Sequence, residues 1–243
     1  MEVLTGQVYK LGNHRVGCGD CCDVNLLKLL FNGDHSTKAD CVISDPPYNI
    51  KLKYDGYEDN LKEQDYKLLL AKFLILSKFI TKPKSHVIFT MSQKYMFWCH
   101  DKGIQVGLEF RHMPIWYSPK RKAGSHPGIW PYSYEAILDF TNDGYRKLNN
   151  HNGVGYMDVF SMDAEHDREH PAQRPSLLWK HLIELTTNEG ELIFDPFLGS
   201  GTTLIEADKL NRICFGIELS PKYVEKILTI WYNKTGLYPE RIA

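Results

Sequence analysis

Leu192-Ile193-Phe194-Asp195-Pro196-Phe197-Leu198-Gly199-Ser200-Gly201-Thr202-Thr203 is the stretch that decides the fold. A short apolar run enters an acid, and a glycine-edged turn leads into a helical pattern from Thr202. Beyond that helix lies a second apolar run, Ile213-Cys214-Phe215-Gly216-Ile217, closed by Glu218. Strand, turn, helix and strand make up the unit of a parallel sheet, whose ligands gather at the carboxyl ends of the strands. Gly199 and Gly201 let the backbone approach a ligand closely. Glu218, nineteen residues past Gly199, can accept both hydroxyls of a ribose. The unit therefore reads as a nucleoside pocket, with a tight strand-to-helix turn as the alternative. A dinucleotide fingerprint needs a third glycine where Leu204 stands, which disfavours a nicotinamide cofactor, and no Gly-Lys-Ser/Thr phosphate loop is present.

Outward from this unit the same alternation recurs. Strand patterns fall at 14–17, 41–44, 86–91, 109–117, 135–140, 191–194 and 213–217, and helical ones at 24–31, 62–80, 93–102, 176–188, 202–210 and 221–234. Ser220, Pro221 and Gly236 punctuate the last helix as N-cap, first helical position and C-terminal stop. The expected fold is α/β, a doubly wound, mostly parallel seven-stranded sheet in a single domain over 1–243. Residues 49–60 and about 141–170 lack periodicity and read as loops, the second as an inserted recognition element.

The second chemical signal is Asp45-Pro46-Pro47-Tyr48, one residue past the apolar run Cys41-Val42-Ile43. Two prolines remove two N–H donors, leaving a carboxylate beside backbone carbonyls. A two-acceptor site suits an exocyclic amino group: holding both hydrogens turns the nitrogen lone pair toward an electrophile. Tyr48 offers a flat face for an extruded base. The tetrad also reads as a rigid turn with a capping Asp and a core Tyr.

Bulk properties narrow the classes. Hydrophobic residues at 43% and charged ones at 24% describe a soluble globular chain with its own core, not a disordered one. With 29 basic and 30 acidic residues the net charge is −1, so a nucleic-acid partner requires its basic residues to be clustered. Lys120, Arg121 and Lys122 form one such run, and Arg146, Lys147 and Asn149 are candidates to read bases; a solvated face is the alternative for both. No secretory signal is evident, so the six cysteines are expected as free thiols in the cytoplasm. Cys18, Cys21 and Cys22 invite zinc, yet no second pair completes four ligands. His166 and His170 have metal-ligand spacing, but Pro171 breaks a helix there; no metal is expected. Residues 68–80, the most apolar stretch, are too short to span a bilayer and read as a core helix. Trp98, Trp179 and Trp231 fall in helical runs and read as packing residues.

With both motifs in hand, the chain resembles the beta-class DNA amino-methyltransferases (N6-adenine or N4-cytosine), in which Asp-Pro-Pro-Tyr precedes Phe-x-Gly-x-Gly. Gly19-Asp20-Cys21, His170-Pro171-Ala172-Gln173-Arg174-Pro175, Ile115-Trp116 and Tyr134-Glu135 resemble further family segments. Glu218-Leu219-Ser220-Pro221-Lys222-Tyr223 and Thr235-Gly236 resemble a phage and prophage subgroup, so the host or phage-infected bacterial cytoplasm is the implied location. Ala172 stands for a usual Thr and Arg174 for a usual Lys. The resemblance implies a Rossmann-like methyltransferase fold in circularly permuted order, with the two ends of the chain close together. It implies S-adenosyl-L-methionine held by Asp20, Cys21, Arg174, Asp195, Phe197, Gly199, Ser200, Gly201, Thr202, Thr203 and Glu218. Asp20 would meet the adenine and Arg174 the methionine end. Asp45, Pro46, Pro47 and Tyr48 would be catalytic, on a base flipped from double-stranded DNA. Members that begin the tetrad with Asp mostly modify adenine N6; N4 of cytosine, an RNA or protein substrate, and a silent DNA-binding protein on the same fold are the alternatives. A homodimer would give so short a chain more DNA contacts.

Overall fold

Cys41 and Ile43 bury into one apolar cluster while Val42 between them buries into another. Ile193 and Phe194 divide in the same way, as the two-residue period of a strand requires. A sheet with two buried faces needs helices on both. The computed structural model describes residues 2–33, 37–51, 53–54, 57–120, 130–149, 157–163 and 175–243. Arg121, Lys122, His166, His170 and Arg174 lie outside them.

The strands are β1 (Val8–Leu11), β2 (His14–Cys18), β3 (Ala39–Ser44), a hairpin of β4 (Lys53–Tyr54) and β5 (Tyr57–Glu58), β6 (Thr81–Met91), β7 (Leu108–His112), β8 (Ile115–Tyr117), β9 (Tyr134–Asn142), β10 (Val159–Ser161), β11 (Leu192–Asp195), β12 (Ile213–Glu218) and β13 (Glu240–Arg241). The helices are α1 (Val24–Leu30), α2 (Glu63–Ile80), α3 (Met96–Gln105), α4 (Ser176–Thr186), α5 (Thr202–Lys209) and α6 (Pro221–Thr235). Residues of α4, α5 and α6 pack in the first cluster, those of α1, α2 and α3 in the second. Trp179 and Trp231 are buried in the first, and Trp98 packs against the second. Among the described residues no helix is long and apolar enough to cross a membrane.

The sheet runs β10-β8-β9-β6-β3-β11-β12-β2-β1-β13, with β7 also on β9. Its centre, β6-β3-β11-β12-β2, is wholly parallel. The flanks are largely antiparallel, and the sheet has eleven strands where seven were expected. Two causes account for the difference. Pro114, which cannot donate to a ladder, splits the 109–117 run into β7 and β8. The short strands β10 and β13, of three and two residues, fall below the length at which alternation can be recognised, and β1, of four, was not read as a strand. Part of the expected 141–170 loop is thus edge strand, β10 beside β8.

The permuted order is visible in the pairing. β12, late in the chain, lies parallel to β2, near its start. β1 pairs with β13, and the Val8 amide donates to the Ala243 carbonyl at 3.0 Å. Local punctuation follows chemistry. Asp23 caps α1 through the Asn25 and Leu26 amides. Ser220 occupies the N-cap of α6 without a side-chain cap bond; its amide donates to Glu218 instead. Gly236 ends the helix at φ 73°.

Candidate active site at the carboxyl edge of the sheet

Register decides which side chains meet. In β3 and β11, Ile193 pairs with Cys41 and Phe194 with Val42, so Asp45 and Asp195 emerge at the same edge of neighbouring strands. Asp195 pairs with Gly216, which places Glu218 two residues further out on β12. Glu218 pairs with Cys18, so Asp20 lies just past the end of β2. Adjacent strands are about 4.8 Å apart, so the row Asp20, Glu218, Asp195, Asp45 crosses about 15 Å. The two sequence motifs are therefore neighbours.

Asp45 receives a hydrogen bond from the Thr90 hydroxyl, supplied by β6 on the other side. Thr90 is fully buried and Asp45 partly open. Tyr48 is buried, and its phenol donates to Glu135 Oε2 at 2.8 Å. Pro47 is held through its carbonyl by the Tyr66 hydroxyl of α2 at 2.7 Å. The next loop is tied down as well: both Asp59 oxygens accept amides, from Asn49 at 2.7 Å and Ile50 at 2.9 Å. The tetrad is thus braced from three elements, β6, β9 and α2, and presents an ordered acid beside an ordered aromatic ring. Ser44, Tyr66 and Thr90 were not singled out in the sequence, and Glu135 entered only within a family-like segment. Ser44 and Thr90 are polar residues near the ends of apolar strands, Glu135 opens β9 and Tyr66 lies in α2, so only the fold reveals their partners.

The glycine turn is built around Asp195. Its carboxylate accepts the Ser44 hydroxyl at 2.6 Å, the Thr203 hydroxyl at 2.5 Å and the Phe197 amide at 3.1 Å. Asp195 and Thr203 are both buried, and these bonds hold the turn against β3. Burial pushes the Asp195 carboxyl up to about 6, and the nearby Asp45 charge adds to that. Gly201 has φ 85°, and a Cβ there would lie 2.9 Å from Ile227. Gly199 has φ 56°, and a Cβ there would meet nothing closer than the Phe197 carbonyl oxygen at 4.0 Å. The missing side chain leaves open space beside Glu218.

Glu218 lines that space. Oε2 accepts the Gly199 amide and Oε1 the Ser220 amide, each at 2.8 Å, and the Leu219 amide also bonds to this carboxylate, which leaves acceptor capacity for one further donor. Burial pushes its carboxyl up to about 7, with the Asp195 charge contributing. Ser200 and Thr202 are half-buried on the turn, their hydroxyls 3.3 Å apart. Phe197 packs edge-on against Phe73. Asp20 Oδ1 accepts the Cys22 amide at 2.8 Å, and Cys21 is buried beneath it.

The basic candidates fare differently. Lys120 is exposed at the end of β8, on the reaction edge, with its ammonium 3.3 Å from Asp163. Arg146 and Lys147 follow β9, which runs antiparallel to β6 and so leaves them at the opposite edge. There the Arg146 guanidinium is bound to both Glu191 oxygens, at 3.1 and 2.8 Å. The assignment of Arg146 and Lys147 to base reading is corrected: strand direction carries them away from Asp45. An open groove of about 420 Å³ lined by Glu184, Asn188, Lys209 and Arg212 lies at that same far edge, away from the chemistry.

A family model described as DNA methylase matches residues 39–229. The type II methyltransferase M.HpaI of Haemophilus parainfluenzae is 29% identical over 223 residues, covering 83% of this chain and 70% of that protein. The DNA adenine methyltransferase YhdJ of Escherichia coli K12 is 25% identical over 254 residues, covering 87% and 85%. Among solved structures, the cytosine-N4-specific PvuII DNA methyltransferase superposes with a TM-score of 0.73 at 19% identity, covering 93% of each chain. The M1.HpyAVI–SAM complex gives 0.68 at 19% identity, covering 88% of this chain and 98% of that one. At such identities the structural likeness speaks to fold.

Proposed function

The chain belongs to the DNA methylase family, and from that premise we propose that it moves a methyl group from S-adenosylmethionine to N6 of an adenine in double-stranded DNA. The observation that carries this reading is the adjacency of two unlike sites. An ordered carboxylate with an aromatic ring stands one strand from a glycine-edged opening that ends in a second carboxylate.

The opening fits the cofactor on its own chemistry. A Cβ at Gly199 would stand in open space, and Glu218 keeps acceptor capacity for a ribose hydroxyl. Asp20, Glu218, Asp195 and Asp45 make the edge acidic, which favours a ligand carrying positive charge. Cys21, Phe197, Ser200, Gly201 and Thr202 would line it, with Arg174 toward the methionine end. When bound, S-adenosylmethionine supplies an electrophilic methyl group on a sulfonium.

The chain's own residues do the rest. Tyr48 provides the face on which a flipped base stacks, and its bond to Glu135 fixes that face. Asp45 takes one amino hydrogen. Tyr66 already engages the Pro47 carbonyl, so the Pro46 carbonyl is the second acceptor. Holding both hydrogens draws the nitrogen lone pair out of conjugation with the ring and aims it at the methyl group. The Thr90 hydroxyl orients Asp45, which stands ready to take the proton the nitrogen loses. Lys120 is the described basic candidate placed to meet a phosphate at this edge.

Labelled S-adenosylmethionine with duplex DNA, followed by digestion to nucleosides, tests the reading. Label is expected in N6-methyladenine with the parent chain and none with Asp45→Ala, which still binds cofactor. Label in N4-methylcytosine would replace adenine by cytosine. No label in DNA, or an active Asp45→Ala, would overturn the assignment.

A second copy of the chain is the partner that the outer faces of α2 and α3 favour. Leu68, Ile75 and Phe79 on α2, and Phe97 and Ile104 on α3, are exposed opposite the buried sides of their helices. Together they present on the order of 500 Å² of apolar surface. A standard interface buries about 800 Å² per partner, roughly 65% of it apolar in homodimers. Light scattering should give a dimer for the parent and a monomer for Phe79→Glu with Phe97→Glu; a monomeric parent would rule pairing out.

A further inference from the structure

The turn that leaves β2 brings together two thiols that an extended backbone would hold apart. Side chains of adjacent strand residues point to opposite faces. At residues 20–23 the chain turns instead, closed by the Asp23 amide on the Asp20 carbonyl at 3.0 Å and the Cys22 amide on Asp20 Oδ1 at 2.8 Å. As a result the Cys21 and Cys22 sulfurs lie 3.8 Å apart. One carboxylate oxygen of Asp20 and the two sulfurs all fall within 4.8 Å of one another. Two thiolates on one tetrahedral zinc ion, each about 2.3 Å from it, are about 3.8 Å apart. The sulfur spacing already matches that edge of the tetrahedron.

Access and position complete the case. Of the six cysteines Cys22 is half-buried and the other five are buried, so Cys22 and exposed Asp20 give the cluster its way in. Three protein ligands leave a fourth position for water, the open form of a zinc site. The cluster is also one strand from the ribose acid, since Cys18 pairs with Glu218 and the Gly19 amide donates to the Glu218 carbonyl at 2.9 Å.

We propose that Asp20, Cys21 and Cys22 bind a thiophilic divalent cation of the zinc class, and that this ion and the nucleoside cofactor exclude one another. Binding converts both thiols to thiolates, releases their two protons to solvent, and forms two metal–sulfur bonds and one metal–oxygen bond. No electron moves. The ion takes the Asp20 carboxylate away from the adenine end of the pocket. The competition rests on the cofactor reading above; the cation site does not.

The test uses the full chain, freed of metal and kept reduced without added thiol. Titration with cadmium chloride is followed by thiolate-to-cadmium charge-transfer absorption, and zinc chloride is then used to displace the signal. One ion per chain is expected. Cys22→Ser should weaken binding by at least about tenfold, and Cys99→Ser, at a buried thiol remote from the turn, should leave it unchanged. Calorimetric titration with S-adenosylhomocysteine should then show at least about tenfold weaker affinity when the ion is loaded. A cadmium signal unchanged in Cys22→Ser overturns the site. Equal nucleoside affinity with and without the ion overturns the competition. Failure of S-adenosylhomocysteine to bind the metal-free chain would instead strike the cofactor reading, with the absorption titration still deciding the cation site.

Discussion

Replacing Asp195 by Asn should make the folded chain more stable, and more so as the solution becomes alkaline. The carboxyl has an ordinary value of 3.8 and sits at about 6 in the fold, with burial as the main cause. A raised acid binds its proton more tightly folded than unfolded, so stability falls as pH climbs from 3.8 to about 6 and is level above that. At 1.36 kcal/mol per unit, the ionised side chain costs about 3 kcal/mol at pH 8 and about 1.6 kcal/mol at pH 5. Asn resembles the neutral acid: its oxygen can accept from Ser44 and Phe197, while its NH2 must face Thr203. Allowing about 1 kcal/mol for that imperfect exchange leaves a net gain of about 2 kcal/mol at pH 8. The gain shrinks by about 1.4 kcal/mol on going to pH 5. Glu218 titrates in an overlapping range in both proteins and largely cancels when the two are compared. Urea denaturation of parent and variant at pH 5, 6, 7 and 8 measures the difference directly. Cofactor binding by the same variant should weaken, since the pocket loses a nearby negative charge. A variant less stable than the parent at every pH, by a constant amount, would refute the reasoning.

Other consequences follow from single contacts. Thr90→Val should lower kcat about tenfold with cofactor affinity unchanged, because Asp45 loses the hydroxyl that orients it; Thr90→Ser should restore kcat. Tyr48→Phe leaves buried Glu135 short of a donor and should cost about 1–3 kcal/mol in thermal denaturation, with a smaller loss when Glu135→Gln is present too. Gly103→Ala would place a Cβ 2.6 Å from the Phe140 ring, so α3 must lift from β9; a loss of about 1–3 kcal/mol is expected, with activity per folded molecule preserved.

What could be seen in the sequence was whatever is contiguous. Asp45–Tyr48 and Asp195–Thr203 each carry their chemistry within a few residues, and apolar runs before them mark strand ends. Thr90 was silent, and Glu135 stood only inside a family-like segment with no role attached, because their roles arise between strands. β9 runs against β6, so it is the beginning of β9, not its end, that reaches the reaction edge. The same reversal misled the reading of Arg146 and Lys147: as a string they are free basic residues, and only the direction of β9 sends them to Glu191. Asp195 and Thr203 show a subtler limit. Their place in the motif was legible, but the bonds by which they brace the turn reach across to β3 and depend on burial, which spacing does not encode.

Because β1 is zipped to β13, joining residue 243 to the stretch before β1 would close the backbone into a ring whose seam lies at an outer edge of the sheet. Sealing it with a short linker and reopening the ring in the exposed turn at 188–190 would write the glycine turn ahead of the proline tetrad while every strand kept its neighbours. Which motif is spelled first is then a property of where the circle is cut, and the pocket itself has no beginning.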